Sequence, residues 1–313
     1  MKIISGSKKF PKKSIKTIVV LGNFDGVHLA HQKMFQWAKT KAKLLRLKTI
    51  IYTFYPHPAL ALARASAPNM IMTLEQKIEA IHDLKIPYLV IEPFNLKFAH
   101  QTPETWFNHV IVKNLHAAAV VAGYDFTFGR HRVGNVELLQ ELCKAHNIKC
   151  FIMHAYLKGE TLVSSSQIRH LVETGQVEKA KNLLGRYYYM DGTIIRGKAR
   201  GKKLGIPTAN LAPQNTLIPT TGVYATKVRF KNRLYPSVTN VGLNPTFGKN
   251  PLSIETYILN FKKDIYGEKI RLYFLSQIRE ERKFESIEAL KTQIAEDIRL
   301  AKRINLKASA STI

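Results

Sequence analysis

The chain has 313 residues, enough for two domains that each bury a core, and its 45% apolar content is that of a folded protein. It carries 48 Lys+Arg against 22 Asp+Glu, a formal charge of +26, a field that favours highly charged substrates. No helix-turn-helix, RNP or zinc-finger pattern accompanies that charge, so no specific nucleic-acid partner is expected. No apolar run approaches the ~18 residues of a membrane span, and no apolar region suited to a signal peptide follows the N-terminal lysines. Two cysteines, Cys143 and Cys150, make neither a disulfide framework nor a zinc pattern, and a cytoplasmic location is expected.

In chain order, short apolar runs predict strands at 17–21, 48–54, 88–92, 117–122 and 148–153. Helical stripes lie between them: Met34, Trp37, Ala38, Ala42 and Leu45, then Leu74, Ile78, Ile81 and Leu84. Thr102 and Pro103 are a good N-cap and first-turn pair for a helix carrying Trp106, Phe107, Val110 and Ile111. Residues 134–146 supply a further helix. This alternation predicts a doubly wound parallel sheet with ligands at the carboxyl ends of its strands. Residues 164–184 read as two short helices broken at Gly175. After Gly185 short alternating runs dominate, at 193–196, 223–230, 234–241, 254–261 and 270–275, with Asn232 in a turn. They predict a small antiparallel barrel or sandwich. A last helix begins near Ser286, with Ile287, Leu290, Ile294, Ile298 and Ala301 on one face. The expected domains are 1–185 and 186–305, with a polar tail at 306–313.

Three segments have the chemistry of phosphate binding. Gly22-Asn23-Phe24-Asp25-Gly26-Val27-His28-Leu29-Ala30-His31 follows the first predicted strand, so a glycine loop delivers His28 and His31, spaced i, i+3, to one side of a helix start. Gly22 and Gly26 allow close backbone approach. An HxxH pair also suits half of a metal site. Gly123-Tyr124-Asp125-Phe126 follows the fourth strand, and Ser164-Ser165-Ser166-Gln167-Ile168-Arg169 sets hydroxyls and a guanidinium at a helix start. A plain glycine turn and an ordinary N-cap are the simpler readings of these two. Pro56-His57-Pro58 reads either as a rigid loop or as part of a site. Farther on, Gly197, Arg200, Gly201, Gly205, Pro207, Thr208 and Asn210 lie in a basic glycine loop. Thr208 and Asn210 offer neutral oxygens suited to Mg2+ bridging phosphates. Glu255 shares a strand face with Tyr257, Leu259 and Phe261, where an acid is costly unless paired or used.

The first block resembles the GxFDGxHxGH signature of the HxGH nucleotidyltransferases, with Ala30 in place of its last glycine. The serine-rich segment and Phe54-Tyr55-Pro56-His57-Pro58 resemble stretches of bacterial FAD synthetases. The block from Gly197 to Asn210 resembles the GxxRGxxLGxPTAN signature of riboflavin kinases, and agreement continues at Gly222-Val223-Tyr224-Ala225, Asn240–Phe247 and Asp264-Ile265-Tyr266-Gly267. Over about residues 15–300 the chain thus resembles the prokaryotic bifunctional riboflavin kinase/FAD synthetase family. The resemblance implies a Rossmann-like α/β nucleotidyltransferase domain, then a β-barrel kinase domain with a terminal helix. It implies ATP, riboflavin and FMN as substrates, FAD as product and Mg2+ as cofactor. It makes Glu255 the base of the kinase, His28 and His31 catalytic in adenylyl transfer, and Gly22, Phe24, Asp25, Gly26, His57, Asp125, Phe126, Ser164, Ser165, Ser166 and Arg169 ligands of nucleotide or flavin.

Overall fold

A computed structural model of the chain describes residues 1–11, 15–63, 67–197, 205–243 and 252–308. Its contacts divide it into two units, Met1–Asn69 with Thr73–Ser164, and Met70–Met72 with Ser165–Ile313.

The first unit is built on six parallel strands: β1 (Lys2–Ser5), β2 (Thr17–Leu21), β3 (Lys48–Tyr55), β4 (Tyr88–Pro93), β5 (Ala117–Gly123) and β6 (Lys149–Met153), in the order β1-β4-β3-β2-β5-β6. All five residues of β2 are buried, as its unbroken apolar run requires when both faces are covered. The connecting helices are α1 (Leu29–Leu44), α2 (Pro58–Ala61), α3 (Leu74–Asp83), α4 (Leu96–Ala99), α5 (Pro103–Trp106) and α6 (Val136–Ala145). Thr102 caps α5 as expected, accepting from Thr105 N at 3.2 Å, and Phe107–Asn114 continues as a π-helix that buries Phe107, Val110 and Ile111. Strand β1 was not anticipated. Only Ile4 of its four residues is buried, so its sequence has little signal, and parallel pairing with β4 makes it a strand. From β2 the chain steps outward through β3 and β4, then returns to β2's other side with β5. The loop after β2 therefore lies at the topological switch point, where parallel sheets open a crevice. A small hairpin, β7 (Leu157–Lys158) with β8 (Thr161–Leu162), follows β6.

The second unit begins with α7 (Ser165–Glu173) and α8 (Val177–Leu184), joined through Gly175 at φ +76°. A closed antiparallel barrel follows: β9 (Tyr188–Ile195), β10 (Ala209–Pro213), β11 (Gly222–Phe230), β12 (Arg233–Leu243), β13 (Leu252–Ile258) and β14 (Lys269–Arg279). Helix α9 (Ile287–Lys307) ends it, capped by Ser286 through Ala289 N. Asn232 lies in a turn as expected, together with Lys231. Inside the barrel Thr226, Ser237, Thr239 and Thr256 are fully buried and satisfy one another at 2.8–2.9 Å.

Three expectations differ from this structure. Strand β9 starts at Tyr188 rather than 193, because Tyr188 and Tyr189 face Phe274 and Tyr273 across β14. Strand β10 forms within the stretch read as a glycine loop, since β9 and β13 pair with it on both sides. Strand β13 stops at Ile258: Asn260, at φ +56°, turns the chain, so Leu259 and Phe261 leave the face of Glu255. The contact division falls after Ser164, and α8 packs on β9 and β14.

Candidate active sites

In the first unit, β2 ends in a loop whose backbone is held at positive φ at Phe24 (52°), Gly26 (83°) and Val27 (39°). The Phe24 ring folds back beneath it, buried and edge-on to Phe35 and His31, with centroids 4.8 and 5.1 Å away. A Cβ at Gly22 would meet that ring at 2.6 Å, so glycine here makes room for Phe24. His28 is the N-cap of α1 in extended conformation, and His31 stands in the first turn. Their rings stack at 3.5 Å between centroids and 20° between planes. Burial, then the nearby His28 and Lys77, hold the His31 imidazole well below its usual pKa, so its ring is neutral at pH 7. Ala30 lies between them, partly exposed.

Lys77 is the residue that sequence reading missed. It reaches from α3 under the loop, is buried, and donates from Nζ to the Asn23 carbonyl at 2.7 Å. Thr53 Oγ1 donates to the same carbonyl at 3.0 Å. Burial lowers the pKa of Lys77, and the buried Asp25 beside it opposes that shift. A signal was present: Lys77 interrupts the apolar stripe Leu74, Ile78, Ile81, three and four residues from its neighbours.

The neighbouring strands contribute at the same carboxyl end. After β3 and the cis Tyr55–Pro56 bond, His57 caps α2, its Nδ1 accepting from Ala59 N at 3.2 Å. After β5, Asp125 is exposed, while Phe126 packs against Phe128 and Trp106. Ser164 is the last residue of the first unit, and Ser165, Ser166 and Arg169 open the second on α7.

In the second unit, strand register creates a polar row. Asn210 on β10 and Asn240 on β12 both stand opposite Glu255 on the intervening β13. Directly opposed residues share a face, and alternation turns their neighbours, Thr239 and Thr256, inward, so the row lies on the outer wall. Thr208 Oγ1 donates to Glu255 Oε2 at 3.2 Å. Gly197 lies against the Asn210 side chain, where a Cβ would collide with the carboxamide. Gly205 has φ +77° and Pro207 precedes Thr208, so the chain turns into β10 there. Arg200 and Gly201 lie outside the described residues, as do Lys198, Ala199, Lys202, Lys203, Leu204 and residues 244–247. The row opens into a cavity of about 310 Å³ between barrel and α9, with Val223, Val238, Tyr257, Phe284, Leu290 and Ile298 as apolar wall. Arg279 of β14 binds buried Asp297 of α9 at 2.8 Å and secures that wall. Sequence reading did not single out Arg279 or Asp297, because their meeting depends on helix docking, and it named Asn240 and Tyr257 without giving either a place in the site.

The donors are oxygen-rich, and among the described residues no three His, Cys, Asp or Glu side chains cluster to hold a metal by themselves. Thr208, Asn210 and Glu255 suit a hard cation that keeps most of its ligands from phosphate and water.

A parallel sheet with a histidine pair at its switch point, followed by a barrel with an acid in a polar row, suits an enzyme that handles phosphate-bearing substrates. Family models agree: residues 10–167 match FAD synthetase and residues 184–305 match riboflavin kinase. The bifunctional riboflavin kinase/FMN adenylyltransferase of Bacillus subtilis is 36% identical over 91% of this chain and 92% of its own. That of Buchnera aphidicola from Schizaphis graminum is 33% identical over 97% and 98%. A crystal structure described as a macrolide-efflux protein from Streptococcus pneumoniae superposes with a TM-score of 0.86, at 29% identity, covering 96% of this chain and 99% of that one. The chain belongs to the bifunctional riboflavin kinase/FMN adenylyltransferase family. Among the described residues no helix is long and apolar enough to cross a membrane.

Proposed function

We propose that each activity belongs to one residue set: FMN formation to the polar row around Glu255, and FAD formation to the loop between Gly22 and His31. The chain is a riboflavin kinase and FMN adenylyltransferase. It phosphorylates riboflavin to FMN with ATP, then joins FMN to AMP from a second ATP, releasing pyrophosphate and giving FAD. The observation behind the assignment is the Thr208–Glu255 hydrogen bond in a row flanked by two carboxamides beside an apolar cavity.

In the kinase, the cavity wall takes the flat flavin ring, and Glu255 accepts the proton of the ribityl 5′-hydroxyl as that oxygen attacks the γ-phosphate. Thr208 steadies the carboxylate. Thr208 and Asn210 would hold Mg2+ with the ATP phosphates, and the ion supplies charge neutralisation when bound. The basic stretch from Gly197 to Gly205, with Arg200 and Gly201, meets the nucleotide.

Adenylyl transfer needs no strong base, because FMN's phosphate is already an anion. His28 and His31 stabilise charge growing on the ATP phosphates as pyrophosphate leaves. Ser164, Ser165, Ser166 and Arg169 bind phosphate oxygens; His57, Asp125 and Phe126 contact nucleotide or flavin. The small-molecule substrates suffice as partners, and a cytoplasmic location suits them.

The test assays both reactions on one preparation. Glu255→Gln is expected to lose about 10²–10⁴-fold in FMN formation while FAD formation from supplied FMN survives. His28→Ala/His31→Ala is expected to show the reverse. A fall of both activities together in a folded Glu255→Gln protein contradicts the assignment.

A further inference from the structure

We infer that Lys77 is a positioning residue for adenylyl transfer: from beneath the Gly22–His28 loop it fixes the Asn23–Phe24 peptide and offsets the charge of Asp25. This rests on reading that loop as the ATP site.

Two observations on the backbone support it. The Asn23 carbonyl is held toward the interior by Lys77 Nζ and Thr53 Oγ1. In a trans peptide the next N–H points the opposite way, so the Phe24 N–H is directed away from Lys77. Gln32 Nε2 holds the Val27 carbonyl at 2.8 Å and turns the His28 N–H by the same rule. Positive φ in a loop whose carbonyls are held by side chains is backbone of the kind that presents N–H groups to anions, although the Val27 N–H is already taken by the Phe24 carbonyl at 3.3 Å.

A third observation concerns charge. Asp25 is the only acid in the first 74 residues and is buried within this loop. A carboxylate beside a triphosphate repels it. Lys77 is the buried cation facing it from α3, and the two rings facing the same space are His28 and His31. The capping box of Thr73 and Gln76 fixes the first turn of α3, and hence the point from which Lys77 reaches. A buried lysine on a stripe otherwise apolar costs desolvation, and a purely structural position would be filled at less cost by leucine or methionine.

The experiment uses the full chain and measures kcat and KM for ATP in FAD formation, with FMN formation alongside. Lys77→Met is expected to lower kcat/KM for ATP about 10²-fold, the scale of a small misplacement in a site, with the kinase unchanged. Lys77→Met/Asp25→Asn is expected to recover part of that loss, because the uncompensated carboxylate is gone; a merely structural role predicts no recovery. If Lys77→Met does not fold, Lys77→Gln, which keeps a donor for Asn23 but no charge, is read by the same ratio and paired with Asp25→Asn. Lys77 variants within about threefold of wild type, beside an inactive His31→Ala, overturn the Lys77 assignment alone. Undiminished FAD formation in His31→Ala overturns the reading of the loop, and the role of Lys77 with it.

Discussion

Single residues here act through what they displace or protonate. At Gly197 a methyl group would push the Asn210 carboxamide out of the row that holds Glu255. Gly197→Ala is therefore expected to cut FMN formation by at least about tenfold and leave FAD formation unaltered, as the paired assays measure. His31 makes a pH-dependent contribution. Folding holds its pKa below the unfolded value of about 6.5, so the unfolded chain takes up the proton first as pH falls. The stability involved is complete above about pH 6.5 and is lost below it, toward the folded pKa. His31→Gln should thus show a smaller loss of unfolding free energy than wild type between about pH 7 and pH 5 in urea titrations. The two cysteines divide by hydrogen bonding: the Cys143 S–H donates to Cys150, which raises the pKa of the first and lowers that of the second. Cys143 is also buried and Cys150 partly exposed, so alkylation followed by mass spectrometry should mark Cys150 first. Equal labelling in the native state would show the pairing to be wrong.

At the scale of elements, the terminal helix walls the cavity proposed for the kinase, and an ion pair helps hold it there. Asp297 is 2% exposed and accepts from Arg279 through both oxygens, with Gln293 Nε2 at 2.9 Å. Removing the carboxylate leaves a part-buried guanidinium without its counterion, at a cost on the order of 3 kcal/mol. Asp297→Ala is expected to lower the melting temperature and raise the KM for riboflavin, since α9 walls the cavity. Calorimetry and kinase assays check it; a lower melting temperature with an unchanged KM would separate the helix from the site. The cap of α9 was readable in Ser286, and its apolar face in Ile294 and Ile298. Where that face docks was not, because the barrel strands that receive it are far away in sequence.

At the scale of the whole molecule, the charge of +26 acts on substrates according to their own charge. ATP is a polyanion and riboflavin is neutral. Raising salt from about 0.05 to 0.5 M should increase the KM for ATP in both reactions while barely moving that for riboflavin, because screening weakens only the charged encounter. Steady-state kinetics across that range decide it. An equal rise for both substrates would mean that salt perturbs the folded units and not the field.

Local chemistry settled much of this protein in advance. Unbroken apolar runs marked the buried parallel strands, helix-period stripes marked α1 and α3, and glycine with histidine after the first predicted strand pointed to the loop proposed to bind phosphate. These signals are legible because each depends on residues within a few positions of one another. Three things depended on the tertiary fold. Strands β1 and β10 exist because partners pair with them, not because their residues favour extension. Asn210, Glu255 and Asn240 form one row only once β10, β13 and β12 take a particular register, and a shift by one residue would turn every side chain to the other face. Lys77 lies over fifty residues beyond Asn23, and no local rule links them; the tertiary fold does, by bringing the Lys77 ammonium group to that carbonyl, near Asp25 and His31.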